Sequence, residues 1–254
     1  MKRKQFADKY ESNANFQIKR LNDAVNRYGG SVDNKAKSYR YVSGKKQLGL
    51  MQPRALKPFA RVVKRHLEDS IFPNKDAQYH MFTLVTGYNF GKNNWQMKCD
   101  ELQRQTKKLL KGHDYIARVC LDEFPKAKYL DEGVLMCWHI HGIFFREPSR
   151  WYTQKINQSI KLRGYKITPL FTKHFDRLID AIHYIFKMPF GGKVRYKKKD
   201  GTTGSRHISL YLNATYDTFI HLKDVKIYDF MFAGGKGKKI LKRILAEVKN
   251  DKTK

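Results

Sequence analysis

The run Val134-Leu135-Met136-Cys137-Trp138-His139-Ile140-His141-Gly142-Ile143-Phe144-Phe145 constrains this chain more than any other stretch. It reads as a β-strand, and successive side chains of a strand alternate between faces. His139 and His141 therefore share one face, and Ile140 turns to the other. Two neighbouring imidazoles on one face of a rigid strand are half of a metal site.

The pattern on either side supplies companions for that strand. Tyr79 to Thr86 and Tyr115 to Phe124 read as strands, the second linked to the histidine strand through Asp131-Glu132-Gly133. Asn94 to Leu110 has apolar residues at helical spacing, and Pro148 to Arg163 is a second helix with Pro148 suited to its first turn. Ile167 to Phe171 is expected as a fourth strand, Asp176 to Lys187 as a helix, Lys193 to Leu212 as a basic hairpin around Asp200-Gly201, and Ile240 to Val248 as a closing amphipathic helix. This order predicts an α+β fold, a central antiparallel sheet with helices over one face. Residues 1–75 differ: they are polar and basic, broken at Gly29-Gly30 and Pro53, with a helical pattern from Ala55 to Leu67. A basic N-terminal region contacting DNA or a partner is expected there, with Pro73-Asn74-Lys75-Asp76 marking its boundary from a main domain over 76–254.

Charge narrows the partner. There are 52 Lys and Arg against 23 Asp and Glu, a formal net charge of +29. Such a surplus draws in polyanions and gives salt-dependent binding, so nucleic acid is the expected ligand. Cys99, Cys120 and Cys137 are scattered, which excludes a disulfide framework or a CxxC zinc knuckle and fits a reducing interior. Met1-Lys2-Arg3-Lys4-Gln5-Phe6 leads into no apolar segment, and no stretch approaches eighteen consecutive apolar residues. A cytoplasmic protein without a membrane partner is expected.

Two neutral imidazoles bring no charge to a divalent ion, so a nearby carboxylate is expected to complete the site. If the second and third strands form a hairpin, Asp122 or Glu123 lies roughly opposite the histidines. A slip of one residue reverses the face, so Glu123 is the first choice with Asp122 and Glu132 behind it. Farther along, Tyr184 and Lys187 stand three apart on one helix face. A free phenol, with pKa about 10, is a poor nucleophile at neutral pH. Lys187 can offset charge on the phenolate or on a phosphate under attack, Asp180 is placed to orient Lys187, and His183 is expected to be structural. Lys193, Arg195, Lys197, Lys198, Lys199 and Arg206 on the basic hairpin are candidates for holding a nucleic-acid backbone or stem-loop. Gly87 to Asn93 is one residue short of a P-loop and lacks its Ser/Thr, and Gly234 to Lys239 is a basic glycine-rich loop, so no helicase motor is evident.

Phe82-Thr83-Leu84-Val85-Thr86, His139-Ile140-His141 and Tyr184-Ile185-Phe186-Lys187, in this order, resemble the three motifs of HUH endonucleases. The arrangement is most similar to the rolling-circle replication initiators of small plasmids and single-stranded DNA phages and viruses. The resemblance covers about residues 78 to 190 and implies a five-stranded antiparallel, RRM-like sheet. It also implies a Mg²⁺ or Mn²⁺ ion held by His139, His141 and an acid matching Glu123, with Tyr184 as nucleophile and Lys187 as the lysine of the third motif. Phe82 to Thr86 would be mainly structural and DNA-contacting. Since position 180 is Asp, a single-tyrosine enzyme is implied, one that nicks and rejoins single-stranded or stem-loop origin DNA and relies on a host helicase and polymerase. A relaxase or single-tyrosine transposase would use the same chemistry. Two other classes stand beside it: a non-catalytic basic nucleic-acid-binding protein, and a non-haem iron oxygenase, which would leave the charge and Tyr184-Lys187 without a purpose.

Overall fold

In the computed structural model Trp138, His139, Ile140, His141, Ile143 and Phe144 are all buried, so the histidine strand is covered on both faces. The structure describes residues 16, 18–28, 53–72, 79–86, 95–124, 135–160, 168–186, 191–197, 203–209 and 212–250. Among these, the strands are β1 (Tyr79–Leu84), β2 (Tyr115–Phe124), β3 (Leu135–Phe144), β4 (Leu170–Phe175), β5 (Gly191–Lys197), β6 (Thr203–Ser209) and β7 (Met231–Gly234). The chain divides into two units, one of Phe59–Leu121, Met136–Lys187 and Tyr228–Lys254, the other of Met1–Pro58, Asp122–Leu135 and Met188–Ile227. Residues 59–72 of the region expected as a basic arm are thus counted with the sheet.

The first unit holds an antiparallel sheet of five strands in the order β4-β1-β3-β2-β7, and the fold is α+β as the element order predicts. β1 runs antiparallel to β3, with Phe82 opposite Gly142 and Thr83 opposite His141. It also runs antiparallel to β4, with His80 opposite His174. Gly142 matters to this pairing: a Cβ there would lie 2.4 Å from the Phe82 ring, so only glycine lets that ring lie flat over β3. β4 begins and ends later than the expected 167–171.

Helices cover both faces, not one as expected. The physical reason is the composition of β3, whose two faces are both non-solvated, and such a sheet needs cover on each side. Behind the histidine face lies the helix Leu178–Ile185, which buries Leu178, Ala181, Ile182 and Ile185. The opposite face is aromatic: Phe82 meets Phe144 with centroids 4.4 Å apart, Trp138 meets Phe230 edge-on at 5.8 Å, and Tyr115 meets Phe232 at 6.1 Å. Each such ring, fully buried, contributes on the order of 1.5–3 kcal/mol. The helix Trp95–Leu109 serves this face; it buries Cys99, Leu102 and Thr106 at spacings of three and four, and Lys107 reaches over the Phe232 ring. The helix Arg150–Ser159 is capped by Ser149, whose hydroxyl accepts from the Tyr152 amide at 3.2 Å. Pro148 therefore precedes the cap instead of opening the helix.

The helix Pro53–Ser70 presents Phe59, Ala60, Val63 and Leu67 to the core, and its Arg65 and His66 both pair with Glu247 of the helix Gly237–Asn250. β7 is a strand that the reading of residues 234–239 as a loop did not anticipate. The glycine-rich stretch is its exit turn, where Gly235 has φ +51° and the Lys236 amide donates to Asp114 Oδ1 at 2.7 Å. The second unit contains the expected hairpin, β5 and β6 paired from Gly191↔Ser209 to Lys197↔Thr203. It also contains a helix over 18–28 and the unexpected helix Leu212–Leu222, with Tyr28 and Tyr216 6.0 Å apart. No described helix is long and apolar enough to cross a membrane.

Candidate active site

Strand alternation turns His139 and His141 to one face, where they are 4% and 3% exposed. Their Nε2 atoms are 2.9 Å apart and their rings nearly perpendicular. Two cis ligands of an octahedral ion, each about 2.1 Å from it, are separated by about 3.0 Å, so the pair fits a small divalent cation with minimal opening. Thr83, directly opposite His141 on β1, puts its Oγ1 2.8 Å from His141 Nδ1. With the proton on Nδ1, His141 donates to Thr83 and keeps the lone pair of Nε2 for a metal. Thr83 thus has a defined task that its place in the first motif did not reveal.

Cys120 of β2 comes to the same place: its sulfur and one ring nitrogen of each histidine all lie within 4.8 Å of one another, and all three residues are buried. The thiol lies within donor reach of the Ile185 and Arg118 carbonyls, at 3.6 and 3.7 Å. While it keeps its proton it ties strand to helix and is no strong ligand, because the thiolate is the metal-binding form. The charge that two neutral imidazoles lack still calls for a carboxylate. Asp122 shares the strand parity of Cys120, whereas Glu123, its backbone paired in parallel with Gly192, has the opposite parity. The side chains of Glu123 and Asp122, and all of Glu132, lie outside the described residues.

Tyr184 is delivered from the helix Leu178–Ile185. Its ring meets that of His141 edge-on, centroids 4.8 Å apart, and Phe175 flanks it at 6.4 Å. Arg118, only 2% exposed, fixes the end of this helix. Its Nη1 donates to the carbonyl of Ile185, the residue after Tyr184, at 3.0 Å, and its guanidinium lies 5.7 Å from the centre of the Phe186 ring. The Phe186 ring in turn packs edge-on against Phe59 at 5.2 Å. The sequence holds a faint signal for both residues: Arg118 is a cation between Ala117 and Val119 in an otherwise apolar segment, and Cys120 shares its parity.

Asp180, expected to orient Lys187, accepts from Arg177 through both oxygens, at 2.7 and 2.8 Å. His183 is pushed down to about 4, chiefly by burial and against the pull of Asp180, so it is neutral at pH 7, in keeping with a structural role. Lys187, Lys198 and Lys199 lie outside the described residues. Lys193, Arg195, Lys197 and Arg206 are on β5 and β6, where Val194 pairs with Arg206, and their side chains are likewise outside the described part. Comparison of the chain with family models, with curated proteins and with solved structures gives no match in any of the three.

Proposed function

We propose that this chain is a single-tyrosine, metal-dependent endonuclease and ligase of the HUH type, which nicks single-stranded or stem-loop origin DNA to initiate rolling-circle replication. One observation carries the reading. Two imidazole nitrogens 2.9 Å apart and a tyrosine ring 4.8 Å from the nearer imidazole, contributed by segments more than forty residues apart, meet on one buried face of a strongly basic protein.

His139 and His141, with a carboxylate from β2, Asp122 by its parity with Cys120 or Glu123 as the family resemblance implies, would hold Mg²⁺ or Mn²⁺. When bound, such an ion supplies a Lewis acid for the non-bridging oxygens of the scissile phosphate. Tyr184 Oη forms the new bond to phosphorus as the bond from phosphorus to the 3′ oxygen breaks. The phenolic proton is lost and a proton is gained by the departing 3′ hydroxyl, so one phosphodiester is exchanged for another. No nucleotide hydrolysis is required, and attack by the 3′ hydroxyl on the phosphotyrosine rejoins the strand. Thr83 keeps His141 in its metal-ready tautomer, and Arg118 holds the end of the helix that presents Tyr184. Lys187 offsets negative charge as the phosphate is attacked. The basic hairpin residues Lys193, Arg195, Lys197, Lys198, Lys199 and Arg206 hold the DNA backbone. A host helicase opens the duplex, and a host polymerase extends the released 3′ hydroxyl.

The test is a denaturing gel of the protein incubated with labelled single-stranded DNA and Mn²⁺. A covalent protein–DNA band is expected with the wild type and none with Tyr184→Phe. A band that persists in Tyr184→Phe overturns Tyr184 as the nucleophile, and no band with wild type across origin-like substrates returns the chain to the class of non-catalytic basic binders.

A further inference from the structure

A second cluster lies on the other face of the same sheet. His80 is three residues before Thr83 on β1, so alternation turns it away from the His139–His141 pair. It stands directly opposite His174 of β4, ring centroids 4.5 Å apart. On its other side it is paired with Phe144, the last residue of β3, and the chain just beyond brings Glu147 to the same point. Glu147 Oε1 is 3.4 Å from His174 Nε2 and 4.0 Å from His80 Nδ1.

We propose that His80, His174 and Glu147 form a second divalent transition-metal site, with Zn²⁺ as its preferred ion. The three donors lie within 4.8 Å of one another and belong to two chemical kinds, imidazole nitrogen and carboxylate oxygen, the set that suits zinc and its neighbours in the first transition series. Ligands about 2.1 Å from a common ion sit roughly 3.0–3.5 Å apart. The His174–Glu147 separation already meets this, and the His80–Glu147 separation needs closing by under an ångström. Glu147 can supply that movement, because its side chain is 61% exposed. His80 is buried and fixed by the strand pair, while His174 is half exposed. The site therefore has one rigid ligand, two adjustable ones and an open side for entry of the ion.

Such an ion would fasten β4, which among the described strands pairs only with β1, at the end that leads into the Tyr184 helix. It also clips the segment after β3 to that edge. The site is structural in kind: its carboxylate offsets part of the ion's charge, and the phenol of Tyr184 is on the other side of the sheet. This inference uses none of the residues of the DNA-nicking reading, although the stoichiometry in its test counts an ion at the His139–His141 pair.

The test is equilibrium dialysis of the full chain, stripped with chelator, against Zn²⁺ alone. Wild type is expected to bind two equivalents. His174→Ala and Glu147→Gln, at exposed positions where the fold is not at risk, should each lose one and retain the other. The double variant His139→Ala/His141→Ala should lose the opposite one and still be raised in melting temperature by zinc. The proposal is overturned if His174→Ala and Glu147→Gln bind zinc with wild-type stoichiometry and affinity, or if wild type binds a single ion that the His139/His141 variant abolishes.

Discussion

On the face of the sheet that carries Tyr184, two buried imidazoles turn their Nε2 atoms on each other; on the opposite face, a buried and a half-exposed imidazole both turn to a carboxylate. The residue type and the supporting sheet are the same, so surroundings decide what each cluster can do. Two neutral imidazoles and one carboxylate in a buried place would leave a divalent ion a net positive charge little screened by water, able to polarise a phosphate brought against it. A carboxylate in an open place partly neutralises the ion and leaves water in competition for it, which suits a fastening role. The buried pair also has supports, Thr83 on a ring nitrogen of His141 and Arg118 on the helix end beside Tyr184.

The largest effect expected to separate the two centres is loss of the proposed nucleophile. Tyr184→Phe keeps the ring against His141 and Phe175, so the melting temperature should stay near wild type while strand cleavage falls on the order of 10⁴-fold or more. Comparable cleavage in the variant, read from initial rates on labelled single-stranded DNA, breaks the assignment of chemistry to this face. Next comes Arg118→Met, which fills similar volume but leaves the Ile185 carbonyl without its charged donor. A stability loss of about 1–3 kcal/mol is expected from urea unfolding, with a larger drop in kcat than in KM because the helix end is no longer held. An unaltered kcat with the same stability loss would reduce Arg118 to a packing residue. Thr83→Val is smaller still. It preserves shape and removes only the hydroxyl beside His141 Nδ1, so Mn²⁺ affinity at this centre should fall about 10–100-fold. Measured in a His174→Ala background, binding that does not weaken would remove Thr83 from the metal-holding apparatus.

Much of the sheet is legible in the chain because strand length and alternation are local properties. β2 coincides with the expected Tyr115 to Phe124, and β3 falls short of the expected run by one residue at each end. The two-sided cover is not legible in the order of elements, which places helices between strands without saying which face each one takes. β7, four residues long, shares only Gly234 with the loop expected over 234–239, and only pairing with Tyr115 to Arg118 makes it a strand. The placing of both histidines on one face is readable, since it rests on spacing, and the structure brings Tyr184 against His141. Thr83 is not legible, and Cys120 and Arg118 only as a thiol and a cation of one parity in β2, because what they contact comes from register between strands and from the packing of a helix end. The His80–Glu147–His174 cluster is the extreme case, three residues from three separated segments joined only by pairing.

His183 gives the finest test of burial against charge. It sits next to Tyr184 and has Asp180 three residues before it, yet burial outweighs the carboxylate and pushes its pKa down to about 4. The unfolded chain protonates a histidine near 6.5, so between that value and about 4 the unfolded state binds more protons than the folded one. The contribution to stability is therefore complete above pH 6.5 and is lost as pH falls toward 4. Allowing for the water that reaches part of the ring, the loss between pH 7 and pH 5 should be about 1–2 kcal/mol. His183→Asn removes the titration while keeping a polar side chain of similar reach, so its urea midpoint should change less over that range than the wild type's. Equal slopes in the two proteins would mean that the ring takes up its proton in place, with Asp180 able to hold the imidazolium. In that event a carboxylate at helical spacing outweighs burial on this face, and the contrast with the Glu147 cluster would rest on geometry alone.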